Sequence, residues 1–215
     1  MKKAIVIGST GMVGTQLIQL LLFSNNYVEI TSLVRRESGI THPKLREYVV
    51  DFDQPETWRQ LVTGDVLFSC MGTTIAKAKT KENQYKTDYT YQYKVAEIAA
   101  QNGVPAYVLL SSAGANAKSA AFYMQMKGKL DAAVLKLAFE SISILRPAQL
   151  YGERTEKRLG EKIGLSVMFA LNKIGILRRI KPIHAREVAQ AMILAAENKK
   201  HSILNLQQMF YLIHK

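Results

Sequence analysis

Short apolar segments alternate with longer amphipathic segments over most of the chain. Lys3–Ile7 is rich in β-branched residues, and after a turn containing glycine, Met12–Ser24 carries apolar residues at helical spacing. This pattern predicts a strand, a turn and a helix. Five further strands are predicted by the same alternation, at Tyr27–Val34, Tyr48–Val50, Asp65–Cys70, Ala106–Leu110 and Ile142–Leu145.

Helices are predicted in most of the gaps between these strands. Pro55 suits the first turn of a helix that runs through Trp58 and Leu61, and longer helices are predicted at Gln84–Gln101 and Phe122–Phe139. Strands that alternate with helices are joined by right-handed crossovers and form a parallel sheet covered on both faces. The predicted fold class is therefore α/β, with a doubly wound parallel sheet.

The remaining segments lie near the carboxyl ends of the strands, where a ligand is expected to bind. Gly72–Asn83 and Gly152–Gly160 are predicted to be surface loops that follow strands and cover a bound ligand. Beyond Pro147, helices are predicted at Glu161–Lys173 and Arg186–Asn198. A short apolar stretch follows at residues 203–206. We expect one domain over residues 1–215, with residues 147–215 forming a small C-terminal substrate lobe.

Composition and charge narrow the class of protein. The 215 residues are 48% apolar, and 29 Lys and Arg against 17 Asp and Glu give a net charge of +12, which favours polyanionic ligands. Cys70 is the single cysteine, so neither a disulfide nor a cysteine metal site is predicted. The apolar run after Met1 stops at Gly8, and no apolar segment is long enough to span a membrane. These features predict a cytoplasmic protein without a metal ion.

Three glycines, Gly8, Gly11 and Gly14, follow the first strand and open the first helix. At such a turn, glycines let a pyrophosphate approach the helix N-terminus, where free N–H groups and the helix dipole attract anions. The alternative is an ordinary tight turn with a packing glycine. The position of the three glycines favours a dinucleotide site and thus an NAD(P)-binding Rossmann fold.

The end of the second predicted strand indicates which dinucleotide binds. NAD-binding proteins place an acidic residue here, whereas this chain has Arg35 and Arg36. Two guanidinium groups can pair with the 2′-phosphate of NADP, so NADP(H) is predicted over NAD(H). The alternative is a pair of solvated arginines. Asp51, after the third strand, is placed either to accept from the adenine amino group or to cap the helix near Pro55.

Tyr123 and Lys127 are four residues apart and therefore share one face of the predicted helix. A nearby ammonium lowers the pKa of a phenol, which would suit Tyr123 to general acid and base catalysis on a carbonyl or an alcohol. Ser111 and Ser112 follow the preceding strand at the same sheet edge, where a hydroxyl could hold the substrate oxygen. The alternatives are a buried structural tyrosine and a serine pair that caps a turn.

These motifs, in this order, resemble those of the short-chain dehydrogenase/reductase superfamily, and more narrowly its atypical epimerase-like and Tat-interacting oxidoreductase-like members. The resemblance extends from Lys3 to about Ala196. It implies Tyr123 as the acid/base, Lys127 as its partner, and Ser112 rather than Ser111 as the hydroxyl that orients the substrate. The implied cofactor contacts are Gly8, Ser9, Thr10, Gly11, Met12, Val13, Gly14, Arg35, Arg36, Cys70, Met71, Gly72 and Thr73, with Pro147 and Leu150 beside the nicotinamide.

Two departures from the superfamily pattern limit what the resemblance implies. Many relatives place an asparagine used in proton relay where this chain has Asp88. In addition, the part of the chain after Pro147 is much shorter than the substrate domain of sugar-nucleotide epimerases. A nucleotide-sugar substrate is therefore not predicted.

Three functions follow from these patterns. The first is an NADPH-dependent oxidoreductase that transfers hydride to or from a small carbonyl or alcohol, with Tyr123 transferring the proton. The second is a non-catalytic NADPH-sensing regulator that binds a partner protein through its loops. The third, ranked last, is a nucleic-acid binder that uses its basic clusters, which are Lys77, Lys79, Lys81 and Lys86, and Arg178, Arg179 and Lys181. Pairing of the two long helices suggests a homodimer.

Overall fold

The central layer of the protein is a parallel sheet. The computed structural model describes residues 1–152 and 182–215, and within these ranges seven strands form the main sheet and two form a small separate sheet. The strands are β1 (Lys2–Ile7), β2 (Tyr27–Val34), β3 (Leu45–Val49), β4 (Val66–Ser69), β5 (Ala106–Leu110), β6 (Ser141–Arg146), β7 (Leu150–Tyr151), β8 (Ile183–His184) and β9 (Ser202–Asn205).

The order of the main sheet is β3-β2-β1-β4-β5-β6-β9, and every neighbouring pair is parallel. Strands β2 and β3 extend the sheet on one side of β1. Strands β4, β5, β6 and β9 extend it on the other side. The predicted doubly wound Rossmann-like sheet is thus confirmed. Its topological switch point lies between β1 and β4, which is where such folds bind ligands.

Helices cover both faces of the sheet. They are α1 (Met12–Phe23), α2 (Ile75–Ala78), α3 (Lys81–Tyr85), α4 (Tyr91–Gln101), α5 (Phe122–Val134), α6 (Ala185–Ala195) and α7 (Leu206–Ile213). Successive strand side chains point to opposite faces, so β1 contributes to two cores. Ala4 and Val6 pack in the core with α1 and α6, whereas Ile5 and Ile7 pack in the core with α4 and α5.

Several predicted boundaries were wrong where tertiary contacts decide the local geometry. The helix expected from Pro55 is replaced by two short 3₁₀ turns, Pro55–Thr57 and Arg59–Leu61. Trp58 lies between them, fully buried, and its indole N–H donates to the Asp51 carbonyl at 2.8 Å. This anchoring of Trp58 coincides with the break between the two turns.

The helix predicted at Gln84–Gln101 differs in both its start and its regularity. It begins earlier, at Lys81, where the Thr80 hydroxyl accepts from the Asn83 N–H at 3.1 Å. A π-helical turn at Lys86–Thr90 then separates α3 from α4. The segment expected to be only a loop, Gly72–Asn83, therefore contains α2 and the start of α3. The helix expected to reach Phe139 ends at Val134.

Residues 182–215 belong largely to the main sheet and its covering layer. Strand β9 pairs with β6 at the edge of the sheet, and α6 packs against α1. His184 caps α6, since its Nδ1 accepts from the Arg186 N–H at 3.2 Å. The proposed substrate-binding role of residues 147–215 stays a prediction. The helix expected at Glu161–Lys173 and the loop beyond Gly152 fall outside the described residues, as do the basic residues at 178, 179 and 181. No helix within the two described ranges is long and apolar enough to cross a membrane.

Candidate functional site

The turn between β1 and α1 requires its glycines. Gly8 has φ +77°, and a Cβ at Gly8 would overlap the backbone of Cys70 and Met71 at the end of β4. A Cβ at Gly14 would overlap the carbonyl of Gly8. The turn is closed by a hydrogen bond from the Gly11 N–H to the Gly8 carbonyl at 3.0 Å.

Helix α1 begins directly after this turn without a capping side chain. Its N-cap is Gly11, and its first turn carries no acidic residue. The N–H groups of the first turn are therefore available to an anion. Gly8 and Gly14 carry no side chain that could fill the space in front of the first turn of α1, so the turn fits a pyrophosphate held by the backbone.

The other residues of the turn differ in what they can offer a cofactor. Ser9 is buried, and its hydroxyl is bound to the Ser32 hydroxyl at 2.7 Å, which fixes the turn to β2. Val13, in the first turn of α1, is buried in the core that α1 covers. Ser9 and Val13 are thus placed to contact a nucleotide through their backbone, whereas Thr10 is exposed and Met12 is half-buried.

The adenosine end of the predicted cofactor site lies after β2 and β3. Arg35 and Arg36 directly follow β2 and are both exposed. Asp51 follows β3 and is exposed as well, but its carboxylate is engaged locally. Its Oδ1 accepts from the Asp53 N–H at 2.9 Å, and its Oδ2 accepts from the Gln54 amide at 3.1 Å. The carboxylate therefore stabilises the turn before Pro55, and its contact with adenine stays a prediction.

The segment after β4 contributes mainly backbone to the site. Cys70 is buried, its thiol lies 3.6 Å from the Met192 sulfur, and burial raises the pKa of this thiol to about 12. Cys70 is therefore not a nucleophile. Met71 is half-buried against the core of α4 and α5, and Gly72 is exposed. The Thr73 N–H donates to Asp88 Oδ2 at 2.7 Å.

Tyr123 and Lys127 lie on α5, one turn apart, beside the carboxyl end of β5. Lys127 is buried, and its ammonium donates to the Leu110 carbonyl at 3.2 Å. Tyr123 is 36% exposed, and the Ser112 hydroxyl, which donates to the Ala113 carbonyl at 3.3 Å, lies close enough to lower the pKa of Tyr123. Ser111 is buried, and its hydroxyl has no hydrogen-bond partner in the described part of the chain. The structure thus brings Ser112, and not Ser111, together with Tyr123.

The protonation of Tyr123 differs from the sequence-based expectation. Burial raises its pKa above the usual 10.0, the Asp88 carboxylate raises it further, and the Ser112 hydroxyl lowers it. The expected lowering of this pKa by Lys127 is not found, because burial of the phenol is the largest cause of the shift and raises the pKa. The Tyr123 phenol is therefore protonated near neutral pH.

Two buried carboxylates, those of Asp88 and Asp131, act on the charge of Lys127, and the sequence pattern did not predict this. Asp131 lies one turn after Lys127 on α5, and its Oδ2 accepts from Arg146 Nε at 2.9 Å and forms an ion pair with Arg146 Nη2 at 2.8 Å. Asp88 lies in the π-helical turn and is 1% exposed. Asp131 follows Lys127 by four residues, and this spacing could have indicated that the two side chains share one face of the helix. Asp88 had been noted only as a departure from the superfamily.

The predicted nicotinamide side of the site is formed by the segment after β6. Pro147 is buried, and its carbonyl accepts from the Ala113 N–H at 2.8 Å. This hydrogen bond ties the segment after β6 to the serine segment after β5. Leu150 is half-buried in β7, which pairs with β8 through Ile183. In residues 1–152 and 182–215, no cluster of His, Cys, Asp and Glu could hold a metal ion.

The fold and this site together define an NAD(P)-binding Rossmann protein. The family model described as "NAD dependent epimerase/dehydratase family" matches residues 4–206. The chain therefore belongs to the NAD dependent epimerase/dehydratase family.

Known proteins agree with this assignment. The chain is 34% identical over 200 residues to "Protein FMP52-1, mitochondrial" of Scheffersomyces stipitis, covering 90% of this chain and 88% of that protein. It is 34% identical over 164 residues to "Protein HTATIP2" of Rattus norvegicus, covering 74% of this chain and 67% of that protein. Its fold is similar to the Bordetella bronchiseptica enzyme WbmH, whose structure contains NAD+, with a TM-score of 0.75 and 16% identity over 96% of this chain and 75% of that one.

These relatives correct one prediction. The expectation of a cytoplasmic protein was wrong, because the relatives from Scheffersomyces stipitis, Candida albicans and Saccharomyces cerevisiae are all named as mitochondrial. The expectation had relied on a single cysteine and on the short apolar run at the start of the chain. A low cysteine count disfavours a disulfide framework, but it does not distinguish one reducing compartment from another.

Proposed function

We propose that this protein is an NADP(H)-dependent oxidoreductase that acts on a small carbonyl or alcohol. The observation that supports this most strongly is the arrangement of Tyr123, Ser112 and Lys127 at the same sheet edge as the Gly8–Gly14 turn. A phenol beside a serine hydroxyl and one helical turn from a buried ammonium is suited to proton transfer at a carbonyl oxygen. The cofactor turn follows β1, and only β4 lies between β1 and β5 in the sheet.

Each residue has a distinct role in this proposal. The backbone of the Gly8–Gly14 turn binds the pyrophosphate, and Arg35 and Arg36 bind the 2′-phosphate. When bound, the cofactor supplies or accepts the hydride. Ser112 holds the substrate oxygen, and Tyr123 gives its hydroxyl proton to that oxygen during reduction or takes a proton from it during oxidation.

The preference for NADP(H) rests on Arg35 and Arg36. Both are exposed at the end of β2, and no ion pair holds either guanidinium among the described residues. A carboxylate at this position would repel a 2′-phosphate, whereas guanidinium groups can bind it with charge-assisted hydrogen bonds.

Replacing both arginines by alanine is expected to weaken NADPH binding by about tenfold or more, because at least one charge-assisted hydrogen bond is lost. The affinity for NADH, which lacks the 2′-phosphate, is expected to stay within about twofold on the same reasoning. Titration followed by nicotinamide fluorescence measures both affinities.

The matched control is Lys199→Ala with Lys200→Ala, which removes the same charge from two exposed neighbouring residues. These lysines precede β9 and therefore lie at the opposite edge of the parallel sheet. The control should bind NADPH like the wild type. An equal loss of NADPH and NADH affinity in the arginine variant would contradict the assignment of the 2′-phosphate site.

A further inference from the structure

Helices α1, α6 and α7 lie side by side on one face of the sheet, where α1 packs against α6 and α6 packs against α7. Their C-terminal ends lie at the amino edge, opposite the cofactor turn. The loop after α1 is held at the start of β1, because the Lys2 N–H donates to the Asn26 carbonyl at 2.7 Å. The end of α6 is held there too, because Lys2 Nζ pairs with Glu197 at 2.8 Å. Helix α7 follows the parallel strand β9 and so runs toward the same edge.

Large apolar side chains are exposed at all three of these helix ends. Phe23 is the last residue of α1 and is 85% exposed, Leu194 of α6 is 40% exposed, and Tyr211 of α7 is 69% exposed. We call the surface that carries these three residues the amino-edge face. The same helices carry further apolar side chains that are only half-buried, which are Leu20, Ile193, Phe210, Leu212 and Ile213. Apolar surface grouped in this way is typical of an interaction site.

The amino-edge face is almost free of charge in a chain whose net charge is +12. Helices α1 and α7 contain no charged residue, and α6 has only Arg186 and Glu187, which lie in its first turn at the far end. Charged residues are depleted from the centres of protein–protein interfaces. Two copies of this basic chain can therefore meet at the amino-edge face without placing lysines against each other.

The two long helices α4 and α5 present a different surface. Tyr123 is the exposed large apolar side chain on these two helices, and it belongs to the proposed catalytic site. Their outer surface instead carries Lys129 and the ion pair between Lys94 and Glu97. The homodimer expected from the sequence would pair these helices. Apolar exposure and charge both favour the amino-edge face for self-association instead.

Glutamines on the outer surface favour a protein partner over a lipid bilayer. Each of the three helices carries at least one glutamine side chain that is exposed or half-buried, and these are Gln16, Gln19, Gln190 and Gln207. An amide moved into hydrocarbon loses its hydrogen bonds with water and gains none, which is unfavourable. Across a two-fold axis, an amide can donate to and accept from amides of the other copy.

We propose that the amino-edge face is the interface of a homodimer with two-fold symmetry. Phe23 and Tyr211 are its aromatic anchors, and Leu194 packs between them on the central helix α6. This arrangement leaves the cofactor turn of each copy at the edge that faces away from the interface. The proposal goes beyond the proposed oxidoreductase function and does not depend on it, since neither cofactor nor substrate takes part in the contact.

Sedimentation velocity of the full chain and of Phe23→Lys tests this interface. We expect the wild-type chain to sediment as a dimer at about 50 μM, as for a micromolar dissociation constant. A two-fold interface contains each substitution twice, and the loss of one aromatic anchor weakens binding about tenfold or more. The dissociation constant of Phe23→Lys is therefore expected to rise about a hundredfold. Because Phe23 is 85% exposed, circular dichroism should show an unchanged fold.

Two control variants separate this interface from other surfaces. Val49→Lys adds the same charge at an apolar residue that is 57% exposed on β3, away from the amino-edge face. Lys129→Glu reverses a charge on the exposed surface of α5. Both variants should remain dimeric. A monomeric wild-type chain, or a dimer that Lys129→Glu dissociates and Phe23→Lys does not, would overturn the proposal.

Tyr211→Lys provides the same test on another helix if Phe23→Lys does not fold, and it too should be monomeric. Vesicles of phosphatidylcholine and phosphatidylglycerol test the bilayer as the alternative partner. We expect the wild-type chain to stay in the supernatant when these vesicles are pelleted. Pelleting of a monomeric wild-type chain that is lost in Phe23→Ala would assign the amino-edge face to a membrane and overturn the homodimer.

Discussion

Tyr123→Phe is expected to lower the rate of carbonyl reduction by about 10²–10⁴-fold, the usual contribution of a general acid. The substitution removes one oxygen, the atom that donates the proton, and leaves the ring in place. Because no contact of the cofactor turn involves this oxygen, NADPH affinity should change by less than about twofold. The rate is followed as NADPH oxidation with a panel of small aldehydes and ketones.

Tyr211→Phe is the matched control for this experiment. Tyr211 also has a lysine four residues later, but it is 69% exposed on α7 and lies outside the site. The control should keep the wild-type rate. Equal rates in Tyr123→Phe and the wild type would contradict the role of Tyr123. Tight NADPH binding without turnover on any carbonyl would favour the NADPH-sensing regulator instead.

Asp88→Asn is expected to change the pH dependence of stability. In the folded chain the Asp88 pKa is about 6, above its ordinary value of 3.8. Well below pH 3.8 both states hold the proton. As the pH rises to about 6 the unfolded chain releases it first, so the stability contributed by this group is lost over that window. Ionised Asp88 therefore destabilises the fold by roughly 3 kcal/mol near pH 8.

The asparagine variant lacks this titration. Relative to the wild type, its free energy of unfolding should be about 2 kcal/mol larger near pH 8 than near pH 4. Urea unfolding at the two pH values measures this difference. Asp53→Asn should show a dependence of the opposite sign, because the hydrogen bond from Lys86 lowers the pKa of Asp53. If Asp88→Asn changes the free energy of unfolding by the same amount at both pH values, the raised pKa of the buried Asp88 carboxylate is contradicted.

Local patterns were sufficient to predict most of the sheet and the cofactor turn. Strands β2 and β5 have the predicted boundaries, and α1 ends one residue before its prediction. These elements combine a clear apolar period with Gly or polar residues at their ends, so local preference and tertiary structure agree.

Elements shaped by long-range contacts could not be predicted in this way. The π-helical turn carries Asp88, whose carboxylate accepts from the Thr73 N–H, fifteen residues away in the chain. The 3₁₀ turns lie on either side of Trp58, which is bonded to Asp51 and contacts the ring of Phe52. No periodicity in the sequence reports such pairings.

The placement of the candidate site residues was predicted better than their electrostatics. The positions of Tyr123, Lys127 and Ser112 at one edge followed from strand order. The raised pKa of Tyr123 did not, because it results from burial and from the Asp88 charge brought by a different helix. The sequence shows which titratable groups are present, but their desolvation depends on how α4 and α5 pack.

A crystal structure of the protein bound to NADP+ is the most direct test of the proposed oxidoreductase site. We expect the pyrophosphate at the Gly8–Gly14 turn, the 2′-phosphate between Arg35 and Arg36, and the reactive carbon of the nicotinamide facing the Tyr123 hydroxyl. A nicotinamide turned away from Tyr123, or a nucleotide bound elsewhere than at the turn, would contradict it.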